Sequence, residues 1–218
     1  NSEDLLLYVR GELEKFHPTE EQVKQIVEKS QGVFLYLSLC VEGIHNGDYS
    51  LEHLDKLPDG LNGYYYEFFT RQLGNDIARY KKDIAPILQL MVASPTIMTL
   101  PFIQYVLGIE SERNFYDTLS KLEHVTRIVK NSFYDRMKDT KVPLPDKITF
   151  FHNSIENWLT NRVVSGLFYV SKTDGTRIIA KQFYKWTAEA SEQDDDYWGA
   201  YDYGLQVLGE AQMVLSKD

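Results

Sequence analysis

The sequence predicts a mainly α-helical protein with one small two-stranded β-wing. Apolar residues recur at helical spacing through most of the 218 residues, between recognisable helix starts and stops. The period changes to that of β-strands at only two places, residues 125–129 and 147–151. Because three helices precede these two strands, the order of elements is that of a winged helix-turn-helix.

The first 57 residues predict a small helical subdomain. His17-Pro18 ends an amphipathic first helix, and Thr19 with Gln22 forms a capping box for the second. The third helix is so apolar that it must be buried on most sides, and Asn46-Gly47 ends it. The predicted helices of this subdomain cover residues 5–16, 19–32, 33–44 and 50–57.

Residues 58–165 predict the winged-helix domain. The segment Leu57-Pro58-Asp59-Gly60-Leu61 is the clearest break in helical periodicity, and an aromatic stripe of core residues follows it. The predicted helices after this break cover residues 61–73, 84–91, 102–107 and 115–122. A polar loop containing Pro143 and Pro145 is expected to join the two strands, because proline interrupts a strand ladder.

The end of the second strand carries the candidate functional residue. An apolar run stops at His152, and a helix begins at once. Asn153 is the predicted N-cap, and Glu156 completes an Asn-led variant of the capping box. His152 therefore lies at a helix N-terminus, where unpaired N–H groups and the helix dipole favour an anion such as a phosphate.

Residues 166–218 predict a further helical segment. Asp174-Gly175 is read as a turn, and the apolar spacing beyond it indicates a helix through Trp186. The acidic run at residues 192–196 suits the N-terminus of a last helix rather than a metal site.

Composition excludes several classes of function. The net charge of −9 argues against a general nucleic-acid or membrane-surface binder. The lone Cys40 allows no disulfide framework and favours a reducing, cytoplasmic location. We find no apolar stretch of membrane-spanning length, no phosphate-binding loop, no metal-ligand spacing and no catalytic motif. The sequence predicts neither catalytic nor metal-binding residues, and hence a chain that is not itself an enzyme.

A DNA-reading role for the predicted winged helix is disfavoured. Its recognition helix, residues 110–124, carries four acidic against two basic residues, where a major-groove helix needs cations or amides. The hairpin region, residues 127–141, has five cations against two aspartates, enough only for weak, non-specific phosphate contact. We expect no specific nucleic-acid partner.

Four motifs stand in a familiar order, and the resemblance that they carry covers nearly the whole chain, most specifically residues 26–70 and 148–160. They are the N-terminal helix at residues 4–13, Ser-Gln-Gly-Val-Phe-Leu-Tyr at 30–36, Leu-Pro-Asp-Gly-Leu at 57–61, and Phe-His-Asn-Ser-Ile with Trp-Leu at 151–159. The chain thereby resembles the region that follows the P-loop domain in STAND-class signalling NTPases, the NACHT and NB-ARC group. The abrupt start at Asn1 fits a fragment of such a protein.

The resemblance implies an architecture and a role. Residues 1–57 would be the helical lid, 58–165 the winged helix, and 166–218 the helical segment leading to C-terminal sensor repeats. His152 would contact the β-phosphate of bound ADP in the inactive state. Gly32 matches the lid turn that lies near the adenine, and Phe34 stands where NB-ARC members have proline.

Function in the parent protein would follow from the upstream P-loop domain. ADP or ATP with Mg would bind there, with no cofactor in this fragment, and nucleotide state would be coupled to domain rearrangement and homo-oligomerisation. The parent would be an ATPase. The alternative is a stand-alone winged helix acting in protein interaction or transcription regulation, and a P-loop sequence upstream of Asn1 would discriminate between the two.

Overall fold

The computed structural model describes residues 2–74, 76–94, 96–135 and 140–189. It confirms the predicted class: the protein is mainly α-helical with a small antiparallel two-stranded sheet. The chain forms two compact units, Asn1–Gln72 and Leu73–Asp218. Among the described residues, none of the helices is long and apolar enough to cross a membrane.

The first unit is a helical bundle. Its helices are α1 (Ser2–Glu12), α2 (Glu20–Lys29), α3 (Phe34–Asn46) and α4 (Gly60–Leu73), with 3-10 turns at Glu14–Phe16 and Leu51–Lys56. The predicted capping box of Thr19 and Gln22 is present in both directions, and Gly47 ends α3 in the left-handed conformation. The buried core combines Val9 and Leu13 of α1 with side chains of α2 and α3.

The division between the units falls within the predicted winged-helix domain. That prediction places a boundary after Leu57, whereas the compact units separate between Gln72 and Leu73. Leu61 and Tyr64 of α4 pack against the core of the first unit, so the beginning of α4 belongs to that core.

The second unit contains the winged helix-turn-helix elements. They are α5 (Ile77–Arg79), a π-helical turn (Tyr80–Ile84), α6 (Ala85–Ala93), α7 (Leu100–Val106), α8 (Glu112–Ser120), β1 (Thr126–Asp135), β2 (Thr140–Phe150), α9 (Asn153–Thr160), α10 (Arg162–Ser165), a 3-10 turn (Gly166–Phe168) and α11 (Lys172–Glu189). A core cluster joins Ile87 of α6, Ile103 of α7, Phe115 of α8, Ile148 of β2 and Ile179 of α11.

The wing is longer than predicted. β1 pairs with β2 from Thr126↔Phe150 to Asp135↔Thr140, with a β-bulge between Val129 and Asn131. Pro143 and Pro145 therefore lie within β2, and their assignment to a connecting loop is wrong. Both strands of a two-stranded hairpin are edge strands, where proline is tolerated, and Pro145 lies at the register shift itself.

The predicted turn at Asp174-Gly175 is also wrong, because both residues lie in the first turns of α11. Gly175 serves close packing. A Cβ atom at this position would lie 1.9 Å from the carbonyl oxygen of Gln89 and 2.7 Å from Cβ of Ala93, both on α6. Glycine is therefore present because the two helix backbones approach each other closely. The predicted final helix and the acidic run at 192–196 lie outside the described residues.

Candidate functional site

His152 lies in the second unit, between the end of β2 and the start of α9. The N–H of Phe151 donates to the carbonyl of Val125 at 3.0 Å, which continues the strand pairing up to the residue before the histidine. His152 itself has extended backbone angles (φ −148°, ψ 146°), and its side chain is exposed. The helix α9 follows His152 along the chain, and its apolar side chains Ile155, Trp158 and Leu159 are all buried.

His152, and not Asn153, is the N-cap of α9. Its Nδ1 accepts a hydrogen bond from the N–H of Ser154 at 3.1 Å and lies 2.7 Å from the Ser154 hydroxyl oxygen. Its carbonyl accepts from the N–H of Ile155 at 3.1 Å. The Asn153 cap predicted from the sequence is therefore wrong by one residue, because an imidazole nitrogen can take the accepting role that the preference for Asn, Asp and Ser assigns to an oxygen.

The capping bond fixes which ring nitrogen can donate. A nitrogen that accepts from an amide N–H carries no proton, so the proton of the neutral ring lies on Nε2. Within the described residues, no hydrogen bond involves Nε2 of His152 or the backbone N–H of Asn153. An exposed imidazole N–H and an exposed backbone N–H thus remain at the positive end of the α9 dipole, which is chemistry that suits a phosphate oxygen.

The charge around this helix terminus is mixed. Glu156 lies in the first turn of α9, where its carboxylate interacts favourably with the helix dipole but opposes a bound anion. Among the described residues there is also no group of three or more His, Cys, Asp or Glu side chains that could hold a metal ion. The site can therefore add a contact to a phosphate that is held mainly by other groups.

The second predicted contact, Gly32 with Phe34, lies in the first unit. Gln31 (φ 52°) and Gly32 (φ 80°) both have left-handed backbone conformations, and the chain reverses here between α2 and α3. No described atom would lie within 4 Å of a Cβ at Gly32, so the glycine is required by its conformation and not by crowding. The Ser30 hydroxyl stabilises the turn by accepting from the Gly32 N–H at 3.1 Å and donating to the Val27 carbonyl at 2.6 Å.

Phe34 is exposed at the beginning of α3. The residue is 53% accessible, and its ring packs against Tyr8 with centroids 4.6 Å apart. Burial, followed by the charge of Glu12, raises the pKa of Tyr8, so this tyrosine remains neutral at physiological pH. Val33 caps α3 without a side-chain hydrogen bond. An aromatic ring therefore stands beside an N-terminal helix end, at the position where the resemblance places a lid contact.

Two of the four sequence motifs meet in the first unit. The Tyr36 hydroxyl donates to the Pro58 carbonyl. Nζ of Lys29 donates at 2.7 Å both to the Leu57 carbonyl and to Oδ1 of Asp59. The Leu-Pro-Asp-Gly turn is thus held by residues at the end of α2 and on α3. Sequence inspection missed Lys29, since its role depends on a contact with residues about thirty positions away.

The hydroxyl and thiol groups near this turn are inert. Burial raises the pKa of the Tyr36 hydroxyl, and burial also raises the pKa of the Cys40 thiol to about 12. A thiol that stays protonated is a poor nucleophile. Cys40 is consequently a core residue, in line with its place inside an apolar helix.

The predicted recognition helix, α8 with the residues around it, remains acidic on its accessible face. Glu112, Asp117 and Glu123 are exposed, and Arg113 is paired with Asp117 at 3.9 Å. On the wing, Lys130 is paired with Asp146 at 2.5 Å. This distribution of charge does not suit a DNA-binding surface.

Comparison of the chain with protein-family models, with curated proteins and with solved structures finds no match.

Proposed function

We propose that this chain is a non-catalytic regulatory region of a STAND-class signalling NTPase of the cytoplasm. In this role it couples the ADP or ATP state of an upstream P-loop domain to domain rearrangement and homo-oligomerisation. The single observation that carries the proposal is His152: its Nδ1 caps α9, and this directs its remaining N–H donor, Nε2, outward at a helix N-terminus.

The residues present fit an auxiliary contact to a nucleotide phosphate. Nε2 of His152 and the backbone N–H of Asn153 would donate to it. In the first unit, taken by itself, the resemblance implies a lid contact at Gly32 and Phe34. A bound nucleotide would supply the negatively charged phosphate oxygens that accept from these donors, and its Mg would bind with it in the upstream P-loop domain. A contact made only in the closed, ADP-bound state shifts the closed–open equilibrium by its own free energy.

The test uses the parent protein, loaded with ADP, with His152→Ala and His152→Asp as paired variants. Aspartate is a good N-cap, so His152→Asp keeps α9 capped while removing the donor and adding a negative charge. Alanine removes both the cap and the donor. A hydrogen bond to a charged phosphate oxygen contributes about 1.5–3 kcal/mol, so both variants should increase the open, self-associating fraction about ten- to hundredfold.

The measurement is the oligomer distribution by mass photometry, with ADP retention and thermal unfolding followed in parallel. Asn157→Ala, an exposed change on the same helix, is the matched control and should behave as wild type. Trp158→Ala should instead destabilise the fold by about 3–5 kcal/mol, because it removes a buried tryptophan side chain. If both His152 variants stayed folded, monomeric and ADP-retentive, His152 would be a helix cap only.

A further inference from the structure

Ser154 lies in the first turn of α9, two residues after the histidine that caps this helix. It presents two groups to the same ring nitrogen: its N–H donates to Nδ1 of His152 at 3.1 Å, and its hydroxyl oxygen lies 2.7 Å from that atom. The first four N–H groups of an α-helix lie outside its own hydrogen-bond ladder, so the second residue of α9 can bond to the cap. One residue therefore holds the imidazole through both its backbone and its side chain.

The Ser154 hydroxyl is the donor in the shorter of these two contacts. Because Nδ1 accepts from the N–H of Ser154, this nitrogen carries no proton and offers only its lone pair. A serine hydroxyl can donate or accept, and beside an unprotonated nitrogen it must donate. The separation of 2.7 Å is typical of a hydroxyl hydrogen bond. The hydroxyl thus stabilises the form of the ring in which Nε2 carries the proton.

The two donors also restrict the orientation of the ring. The lone pair of Nδ1 lies in the plane of the imidazole, and a single hydrogen bond to it leaves the ring able to swing about that bond. Two donors at different positions on one residue limit this motion. The restriction matters here because the histidine side chain is exposed, and water would otherwise compete for Nδ1.

The backbone that carries the two donors is itself held in place. Ile155, the next residue, is only 1% exposed, and its N–H donates to the carbonyl of His152 at 3.1 Å. Trp158 and Leu159 are buried one turn further along the same helix. A side chain can orient its neighbour only if packing fixes its own position, and the start of α9 meets this condition.

We infer that Ser154 is the positioning residue of His152. Its hydroxyl, together with its N–H, keeps the ring in the Nε2–H form and in one orientation. The inference rests on the proposed nucleotide-sensing function for its biological meaning, since a phosphate oxygen can accept only from a ring nitrogen that carries a proton. Ser154 acts through the histidine and not on the nucleotide.

Nitrogen-15 NMR of the histidine rings tests this role in the whole chain, without nucleotide. The chain has five histidines, and His152→Asp identifies the signals of His152 by their loss. At about pH 8.5 imidazole rings are neutral, and the separation of the two ring nitrogen shifts measures the ratio of the Nε2–H form to the Nδ1–H form. The other four histidines are internal references.

Ser154→Ala removes the hydroxyl and keeps the backbone N–H. The loss of one hydrogen bond of ordinary net strength should lower the ratio of the Nε2–H form to the Nδ1–H form about three- to tenfold. Ser154→Thr retains a hydroxyl at the same atom and should restore the wild-type ratio. Asn157→Ala, an exposed change on the same helix, is the matched control and should leave the ratio unchanged.

Circular dichroism melting verifies that each variant is folded. An unchanged ratio in folded Ser154→Ala overturns the positioning role. A changed ratio that Ser154→Thr fails to restore also overturns it, because the hydroxyl would then not be the cause of the change.

The same variants in the ADP-loaded parent protein separate this inference from the proposed function. Ser154→Ala should increase the open, self-associating fraction by no more than the factor by which it lowers the ring ratio, because a positioning residue acts only through the competent fraction of the ring. A larger effect, equal to that of His152→Asp, would show that Ser154 contacts the nucleotide itself and would overturn the positioning role. If the ring ratio shifts but neither variant opens the parent protein, the positioning stands and the proposed nucleotide contact is wrong.

Discussion

Gly175→Ala adds a single methyl group where α11 meets α6 most closely. The new Cβ would lie 1.9 Å from the Gln89 carbonyl oxygen and 2.6 Å from its carbonyl carbon. These are backbone atoms inside a helix, so they cannot move aside as a flexible side chain does. Either α11 retreats by more than about 1 Å or α6 distorts, since ordinary contacts to a methyl group begin near 3.4 Å.

Two opposing terms determine the magnitude. Alanine favours the helix over glycine by about 1 kcal/mol. Overpacking costs about 1–3 kcal/mol, and retreat of α11 also loosens Ile179 and Phe183, which lie one and two turns further along on the same face and are buried. Full burial of one such side chain is worth about 1.5–3 kcal/mol, so partial loss at two positions outweighs the gain in propensity. We expect a net destabilisation of about 1–3 kcal/mol.

The assay is urea and thermal unfolding of the whole chain. For a protein of this size each kcal/mol corresponds to about 2–4 °C in Tm. Gly11→Ala is the matched control, because Gly11 lies in α1 with no atom within 4 Å of its would-be Cβ. That variant should be neutral or slightly more stable than wild type. If Gly175→Ala were as stable as Gly11→Ala, the close approach of α11 to α6 would be wrong.

Two further predictions concern buried polar groups. Tyr80→Phe removes a buried hydroxyl that donates to the Phe168 carbonyl at 2.6 Å, and should lower the free energy of unfolding by about 1–3 kcal/mol. The same change at the exposed Tyr116 should have almost no effect. Equal melting temperatures of the two variants would contradict this prediction. Burial raises the pKa of Cys40 to about 12 and that of Tyr64 to about 12, so the protonated forms are favoured in the folded state. The free energy of unfolding is therefore at its full value below about pH 9 and falls as the pH rises toward 12, and Cys40→Ala should fall less between pH 9 and 10. Urea titrations at pH 8, 10 and 11 would measure this dependence. A flat profile would refute it.

Local signals in the sequence predicted most of the helices correctly. The Thr19–Gln22 capping box and the end of α3 at Gly47 both depend on residues within a few positions of each other, and both are present. The order of three helices and a hairpin is similarly a local pattern. Such features can be deduced from spacing alone because the physical cause lies within one turn of the chain.

The errors have a common cause in contacts between distant residues. Asp174-Gly175 has the composition of a turn, but Gly175 is there to let α11 approach Gln89 of α6. Lys29 looks like an ordinary surface lysine, yet it holds the turn at Leu57 and Asp59. Pro143 and Pro145 indicate a loop, but β2 is a strand of a two-stranded hairpin with a register shift at Pro145, where proline is tolerated.

The candidate site was predictable in position but not in detail. The strand end followed by a helix start placed His152 at a helix N-terminus, as the structure shows. The preference of asparagine for caps suggested Asn153, and only coordinates reveal that the histidine ring performs the capping. This difference has chemical meaning, because the capping bond determines which ring nitrogen carries the proton.

The Tyr80–Phe168 hydrogen bond joins residues 88 positions apart, and this separation bears on synthesis. A ribosome needs roughly 4–18 s to add that many residues at about 5–20 residues per second. The core of the first unit is complete once Tyr64 has emerged, whereas Ile87, Ile103 and Phe115 must wait for Ile179. The nascent winged helix thus presents an uncovered apolar face for seconds, and we expect chaperones to bind there until α11 arrives.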